Sequence, residues 1–209
     1  MTDGISDIEE QAANGAVLFL TLLVKERSVA DVPLVVKSLI SKLQTLHQNR
    51  VKCRTGILAL ISIAATQKPQ EVISELLRNE AIFFEKNSTM SEIWRKLGGQ
   101  NITGETVWNI LKQKIEQTET FSLADTFSNA RRNSKVKIVD VRFLALISAG
   151  REVISQVESK VLISSLPDTI ATLFSRWAMV LDATFPLTAV GSAQVFFILK
   201  MILICIKTS

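Results

Sequence analysis

The chain has one histidine, two cysteines and no tyrosine in 209 residues. Each scarcity removes a class of chemistry. The lone histidine, His47, cannot build a histidine-based metal cluster, and no cysteine or acidic ligand set lies near it in sequence. It reads as a solvated helix-end residue. Cys53 and Cys205 are far apart, so they form neither a disulfide framework nor a zinc-binding spacing. They read as buried thiols in a reducing compartment. A glycine-rich phosphate loop is missing, because Gly98-Gly99 is followed by no Lys-Ser or Lys-Thr pair. A Gly-x-Ser-x-Gly elbow is missing too. Carboxylates are scattered, and Glu9-Glu10 and Glu71/Glu75 read as solvated pairs. The expectation is a protein that is not an enzyme, with no catalytic residues, no cofactor and no metal.

Helix breakers are also scarce, with 8 glycines and 4 prolines. That favours long helices over many short strands and turns. Apolar residues make up 47% of the chain, enough for a sizeable core. The 24 basic and 20 acidic residues leave a net charge of +4, mild for a nucleic-acid module. Asp3, Asp7, Glu9 and Glu10 precede the first apolar run, where a secretory signal would carry positive charge. With no such signal expected, the sequons at Asn87-Ser88-Thr89 and Asn101-Ile102-Thr103 read as coincidence.

Apolar spacing predicts a succession of helices. Ile5, Ile8, Ala12, Ala16, Phe19 and Leu23 form the stripe of a helix over 5–24. Asp31 reads as an N-cap with Pro33 in the first turn, ahead of Val32, Val35, Val36, Leu39, Ile40 and Leu43. A helix over 51–66 is apolar almost all round, as expected for one sandwiched between neighbours. Pro69 opens the next helix, over 70–78. Thr89 and Glu92 are spaced as a capping box before Trp94 and Leu97, and Gly98-Gly99 reads as the stop. Val107, Trp108, Leu111 and Ile115 share one face of a helix over 105–117.

Against this background one pattern recurs. Leu58-Ala59-Leu60-Ile61-Ser62 returns as Leu144-Ala145-Leu146-Ile147-Ser148, and Glu71-Val72-Ile73-Ser74 returns as Glu152-Val153-Ile154-Ser155. Basic residues precede both copies: Arg50, Lys52 and Arg54 in one, Lys135, Lys137 and Arg142 in the other. The offset is 86 residues for the first match and 81 for the second, about twice the roughly 40-residue period of stacked helical repeats. The β-formers Val136, Ile138, Val141 and Phe143 suggest a strand. The repeat argues instead for a helix over 136–148, ended by Gly150 and followed by helices over 151–163 and 167–181.

Two segments stand out as candidate contacts. Arg131, Arg132, Lys135, Lys137 and Arg142 form the densest basic group, a phosphate-facing patch or a dock for an acidic partner, set against the plainer reading of a solvated loop leading into a helix. No aromatic residues interleave with it, which weakens single-strand nucleic-acid binding. Arg131-Arg132-Asn133-Ser134 also matches a basophilic kinase pattern, common by chance. The second segment is apolar: Val195, Phe196, Phe197, Ile198, Leu199, Met201, Ile202 and Leu203, interrupted only by Lys200. The wider segment from Ala189 to Ile206 is 18 residues, close to the minimum for a membrane span. Lys200 opposes insertion by about 2.5–3.5 kcal/mol. The reading adopted is a buried or self-associating solenoid helix, with a membrane anchor as the alternative.

The helix pair Arg50–Ala65 and Pro69–Leu77, with Ser91-Glu92-Ile93-Trp94-Arg95-Lys96-Leu97-Gly98, resembles the maestro heat-like repeat family. The resemblance covers roughly residues 15–185, and the helix over 106–115 also fits its spacing. It implies a short isoform or a fragment of a longer helical array, with no catalytic residues to carry over. The expected fold is all-α, a solenoid of stacked antiparallel helix pairs over 1–186, followed by an apolar helix over 187–209. The expected function is a cytoplasmic, non-enzymatic scaffold for a protein partner. A membrane-tethered adaptor is the alternative, and a nuclear location is left open.

Overall fold

The computed structural model describes residues 15–22, 31–47, 50–78, 89–126, 134–157, 159–180 and 183. The described chain is a stack of packed neighbouring helices: α1 over 15–22, α2 Val32–Thr45, α3 Val51–Gln67, α4 Pro69–Leu77, α5 Thr89–Gly98 and α6 Asn101–Gln117. A two-stranded hairpin follows, β1 Phe121–Thr126 and β2 Ser134–Val139, and then α7 Val141–Ile154 and α8 Ser159–Ala178. The all-α reading holds for the stack, with the hairpin as an insertion.

The first repeat forms as its punctuation predicts. Asp31 caps α2 by accepting from the Leu34 amide at 3.3 Å, and Pro33 lies in the first turn, where its missing N–H is not needed. Val32, Val36, Leu39, Ile40 and Leu43 are buried along one stripe. In α3 the apolar residues surround the axis because α2, α4, α5 and α6 all pack against it. Both copies of the five-residue motif are core. Leu60, Ile61 and Ser62 of α3 and Ala145, Leu146, Ile147 and Ser148 of α7 are buried.

The centre of the stack is a short helix of ten residues. α5 packs against α2, α3, α6 and α7. It buries Met90, Ile93, Trp94 and Leu97. Trp94 and Trp108 are the largest fully buried side chains. Each contributes about 4–6 kcal/mol of apolar transfer free energy. Gly98 explains how closely the helices approach: a Cβ there would lie 2.5 Å from the Val153 carbonyl oxygen of α7. Gly104 of α6 faces the Gly98 carbonyl with no more room. Neither Gly98 nor Gly99 adopts the left-handed backbone of a glycine cap. Gly98 therefore serves helix crossing and not termination.

Several sequence expectations are corrected. Residues 136–139 are strand, not helix. Val136 and Ile138 alternate with Lys135 and Lys137, a period of two, and Asp140 caps a helix that begins after it. Phe121 pairs with Val139, Leu123 with Lys137 and Asp125 with Lys135. Gly150 does not end α7. It lies inside the helix, where its ideal Cβ position is 3.2 Å from Trp108 Cζ3. Glu152-Val153-Ile154-Ser155 is accordingly the tail of α7, whereas Glu71-Val72-Ile73-Ser74 occupies a separate helix behind Pro69. Pro167 lies within α8 instead of opening a helix, at an exposed position. α8 docks on α6, where the Thr172 hydroxyl donates to Glu116 at 2.8 Å and Lys112 pairs with Asp168 at 3.7 Å. In α1, Leu20 is buried and Phe19 exposed, the reverse of the expected stripe, because Val17 seats against Gly56 of α3. The boundary expected at residue 186 lies outside the described residues.

The Gly98 contact sets a direct test. Gly98→Ala should destabilise the chain by about 2–3 kcal/mol in urea unfolding, since backbone and not a flexible side chain blocks the new methyl. Gly15→Ala, with nothing within 4 Å, should be neutral or stabilising by up to about 1 kcal/mol. Equal stability of the Gly98→Ala protein and wild type would show that α5 and α7 are not locked together there.

Candidate functional site

Most of the described arginines are committed to the fold. Arg54, read in sequence as part of a basic lead-in, donates to the carbonyls of Leu43 at 2.9 Å and Leu46 at 3.1 Å. These lie at the end of α2, where carbonyls lack helical partners and attract positive charge. The same guanidinium pairs with Glu92 of α5, so Glu92 is engaged across helices. Arg95 of α5 donates through Nε to Glu152 at 2.6 Å, and Arg151 pairs with the other carboxylate oxygen. Glu152 is only 3% exposed, and two guanidiniums offset its burial. Glu75, expected to be solvated, is 5% exposed and accepts from Arg78 at 2.7 Å, because Arg78 folds over it from the next turn.

A cleft of about 320 Å³ opens where α4, α6 and α7 converge. Its lining comes from three helix ends. The last turn of α4 supplies Ser74, Leu77 and Arg78, the end of α6 supplies Lys114, Gln117 and Thr118, and the start of α7 supplies Arg142, Ala145 and Leu146. The hairpin makes this convergence by leaving α6 and returning at its own root. There the Asp140 amide donates to the Thr120 carbonyl at 3.0 Å. Asp140 then caps α7, accepting from the Arg142 amide at 2.7 Å and from the Arg142 guanidinium at 3.2 and 2.8 Å. The side-chain bonds from Arg142 hold the Asp140 carboxyl below its ordinary pKa, overcoming the upward push of burial, and the backbone amides of Arg142 and Phe143 add to the lowering.

The cleft wall is apolar at Leu77, Ala145 and Leu146 and basic at Arg78, Lys114 and Arg142. Its polar groups are ammonium, guanidinium, hydroxyl and amide, so it offers donors to an anion. No carboxylate and no histidine is among these lining residues. Among the described residues, no group of three or more His, Cys, Asp or Glu is arranged to hold a metal. His47 is exposed just past α2, and Cys53 is half-buried against the core. Cys205 lies outside the described residues.

Of the predicted basic group, Arg142 lines the cleft. Lys137 sits 4.9 Å from the centroid of the Phe121 ring, a cation–π contact across the hairpin. The aromatic partner was not visible in the basic run because it comes from the other strand. Lys135 lies in β2 opposite Asp125. Arg131 and Arg132 lie outside the described residues, as do Val195, Phe196, Phe197, Ile198, Leu199, Met201, Ile202 and Leu203. Among the described residues no helix is long and apolar enough to cross a membrane. Sequence reading missed Arg78 and Lys114. Nothing in the spacing of α4 and α6 indicates that their ends meet, and each residue reads alone as a surface charge.

Packed neighbouring helix pairs with motif copies in the core define a helical-repeat protein. A family model described as Maestro, HEAT repeats, matches residues 1–108, just over half of the chain, and the chain belongs to that family. The match ends within α6, so the hairpin and the second motif copy lie beyond it. No curated protein and no solved structure matches the chain.

Asp140 gives the pH test. Asp140→Ala should lower stability by about 1 kcal/mol at neutral pH, the usual cost of a lost cap. Asp140→Asn keeps a capping oxygen and removes the charge. The folded-state pKa of Asp140 lies below its unfolded value, so the charge contribution is full above the ordinary carboxylate range. It is lost as pH falls through the lowered folded value. The stability gap between wild type and Asp140→Asn should therefore close on acidification. A gap that stays constant from neutral to acid pH would rule out this contribution.

Proposed function

We propose that the chain is a non-enzymatic interaction scaffold that binds a protein partner on its helical surface. The supporting observation is how its residues are used. The duplicated motif is spent on core packing, Arg54 and Arg95 on tying helices together, and the surface cleft offers hydrogen-bond donors beside an apolar wall. Membership of a HEAT-repeat family agrees, since such stacks present extended surfaces formed between neighbouring repeats. In this reading the protein works in the cytoplasm, where Cys53 and Cys205 stay reduced.

Cross-linking mass spectrometry on the tagged full chain, paired with a chain ending at residue 186, tests the reading. Both forms should retain the same partner with cross-links on the helical stack, and the shorter form should keep its far-UV helical signal. If partner recovery vanishes with residues 187–209, and only the full chain enters a carbonate-resistant membrane pellet, a membrane-tethered adaptor replaces the scaffold.

A further inference from the structure

We propose that the cleft between α4, α6 and α7 is the docking site for a short acidic peptide of a partner protein, carrying an apolar side chain between flanking Asp or Glu residues. This rests on the scaffold reading and adds a site and a ligand chemistry to it.

Charge is the first argument. Three cations from separate helices, Arg78, Lys114 and Arg142, line one cleft. Two are held in place from within: Glu75 takes Arg78 Nη1 at 2.7 Å, and Asp140 takes Nε and Nη2 of Arg142. These carboxylates offset two of the three charges. Lys114 has no ion pair among the described residues, so it carries the surplus. The arginine side chains remain 71% and 63% exposed, which leaves the guanidiniums accessible in pre-set orientations. A planar guanidinium matches a carboxylate in geometry as well as charge.

Shape is the second. At about 320 Å³ the cleft is at the lower end of the roughly 300–1,000 Å³ of ligand sites, enough for a few side chains. Leu77, Ala145 and Leu146 provide an apolar wall, and Ser74, Gln117 and Thr118 provide hydroxyl and amide groups for a peptide backbone. A membrane surface would need a protruding basic face instead of a cleft. Single-stranded nucleic acid would need stacking surfaces, and no aromatic side chain lines the site.

Fluorescence anisotropy on the full chain tests the proposal, with a labelled peptide of Glu residues around a central Leu as the probe. Lys114→Glu and Arg78→Glu should each weaken binding about tenfold, the size of one partly desolvated charge pair. Lys114→Gln should weaken it less, and guards against a reversed charge that perturbs the end of α6. Lys96→Glu makes the same charge change on an exposed position of α5 and should leave affinity unchanged. Replacing the central Leu by Ser should also weaken binding. Equal losses from Lys96→Glu and Lys114→Glu would overturn the site, leaving only general charge attraction. Tighter binding of a single-stranded oligonucleotide, lost in Lys114→Glu, would overturn the peptide assignment. If the cellular partner stays bound to Lys114→Glu, the cleft proposal fails while the scaffold reading survives.

Discussion

The contact between Gly98 and Val153 is the constraint on which the stack depends. Helices with side chains at the crossing point hold their axes roughly 8–10 Å apart. Here the backbone of α5 meets the backbone of α7 directly, because Gly98 has no side chain and Gly104 leaves the same space on α6. That approach lets a ten-residue helix touch four others and bury Trp94 in their midst. Gly150 repeats the solution on α7, where the missing side chain admits the Trp108 ring. Small residues therefore set the geometry, and the tryptophans fill the volume that geometry encloses.

Electrostatics follows from the same closeness. Once α5 is wedged between its neighbours, its flanks face helix ends and carboxylates from distant parts of the chain. Arg54 spans from the carbonyls of α2 to Glu92, and Arg95 reaches Glu152. These pairs are partly or fully shielded, so leaving one partner alone would be costly. The Arg78 and Arg142 pairs differ because their guanidiniums face solvent, and they border a junction where three helix ends leave a cleft. The hairpin produces that junction. It lengthens the link between α6 and α7 and returns the chain at Asp140, which both caps α7 and orients Arg142.

Much of the fold was legible because it depends on local rules. Asp31 and Pro33 mark the start of α2, Pro69 starts α4, and the spacing of Val107, Trp108, Leu111 and Ile115 marks the buried face of α6. Reading failed where a local signal met a longer-range expectation. The alternation of Lys135, Val136, Lys137 and Ile138 is a strand signal, but similarity to the earlier copy suggested a helix. The structural match between the copies extends only over Leu144–Ser148, which like Leu58–Ser62 lies within a core helix. Gly150 and Pro167 read as breaks because both weaken isolated helices, yet packing against Trp108 and docking on α6 keep α7 and α8 continuous. Of the candidate site, Arg142 alone was visible. Arg78 and Lys114 join it through the folding of helices whose ends carry no mark of meeting.

The sequence by itself determined the class of protein. Few glycines and prolines, helical apolar spacing and a duplicated core motif specify stacked helices, because each of these acts within a few turns of chain. It also determined that Leu-Ala-Leu-Ile-Ser would be core, since a helix apolar on all sides must be surrounded. Only the tertiary structure decided what the charges do. Arg54, Arg78, Arg95 and Arg142 look alike along the chain, but two fasten helices and two border a cleft. A charge acts through the groups within a few ångströms of it, and folding alone brings those groups together.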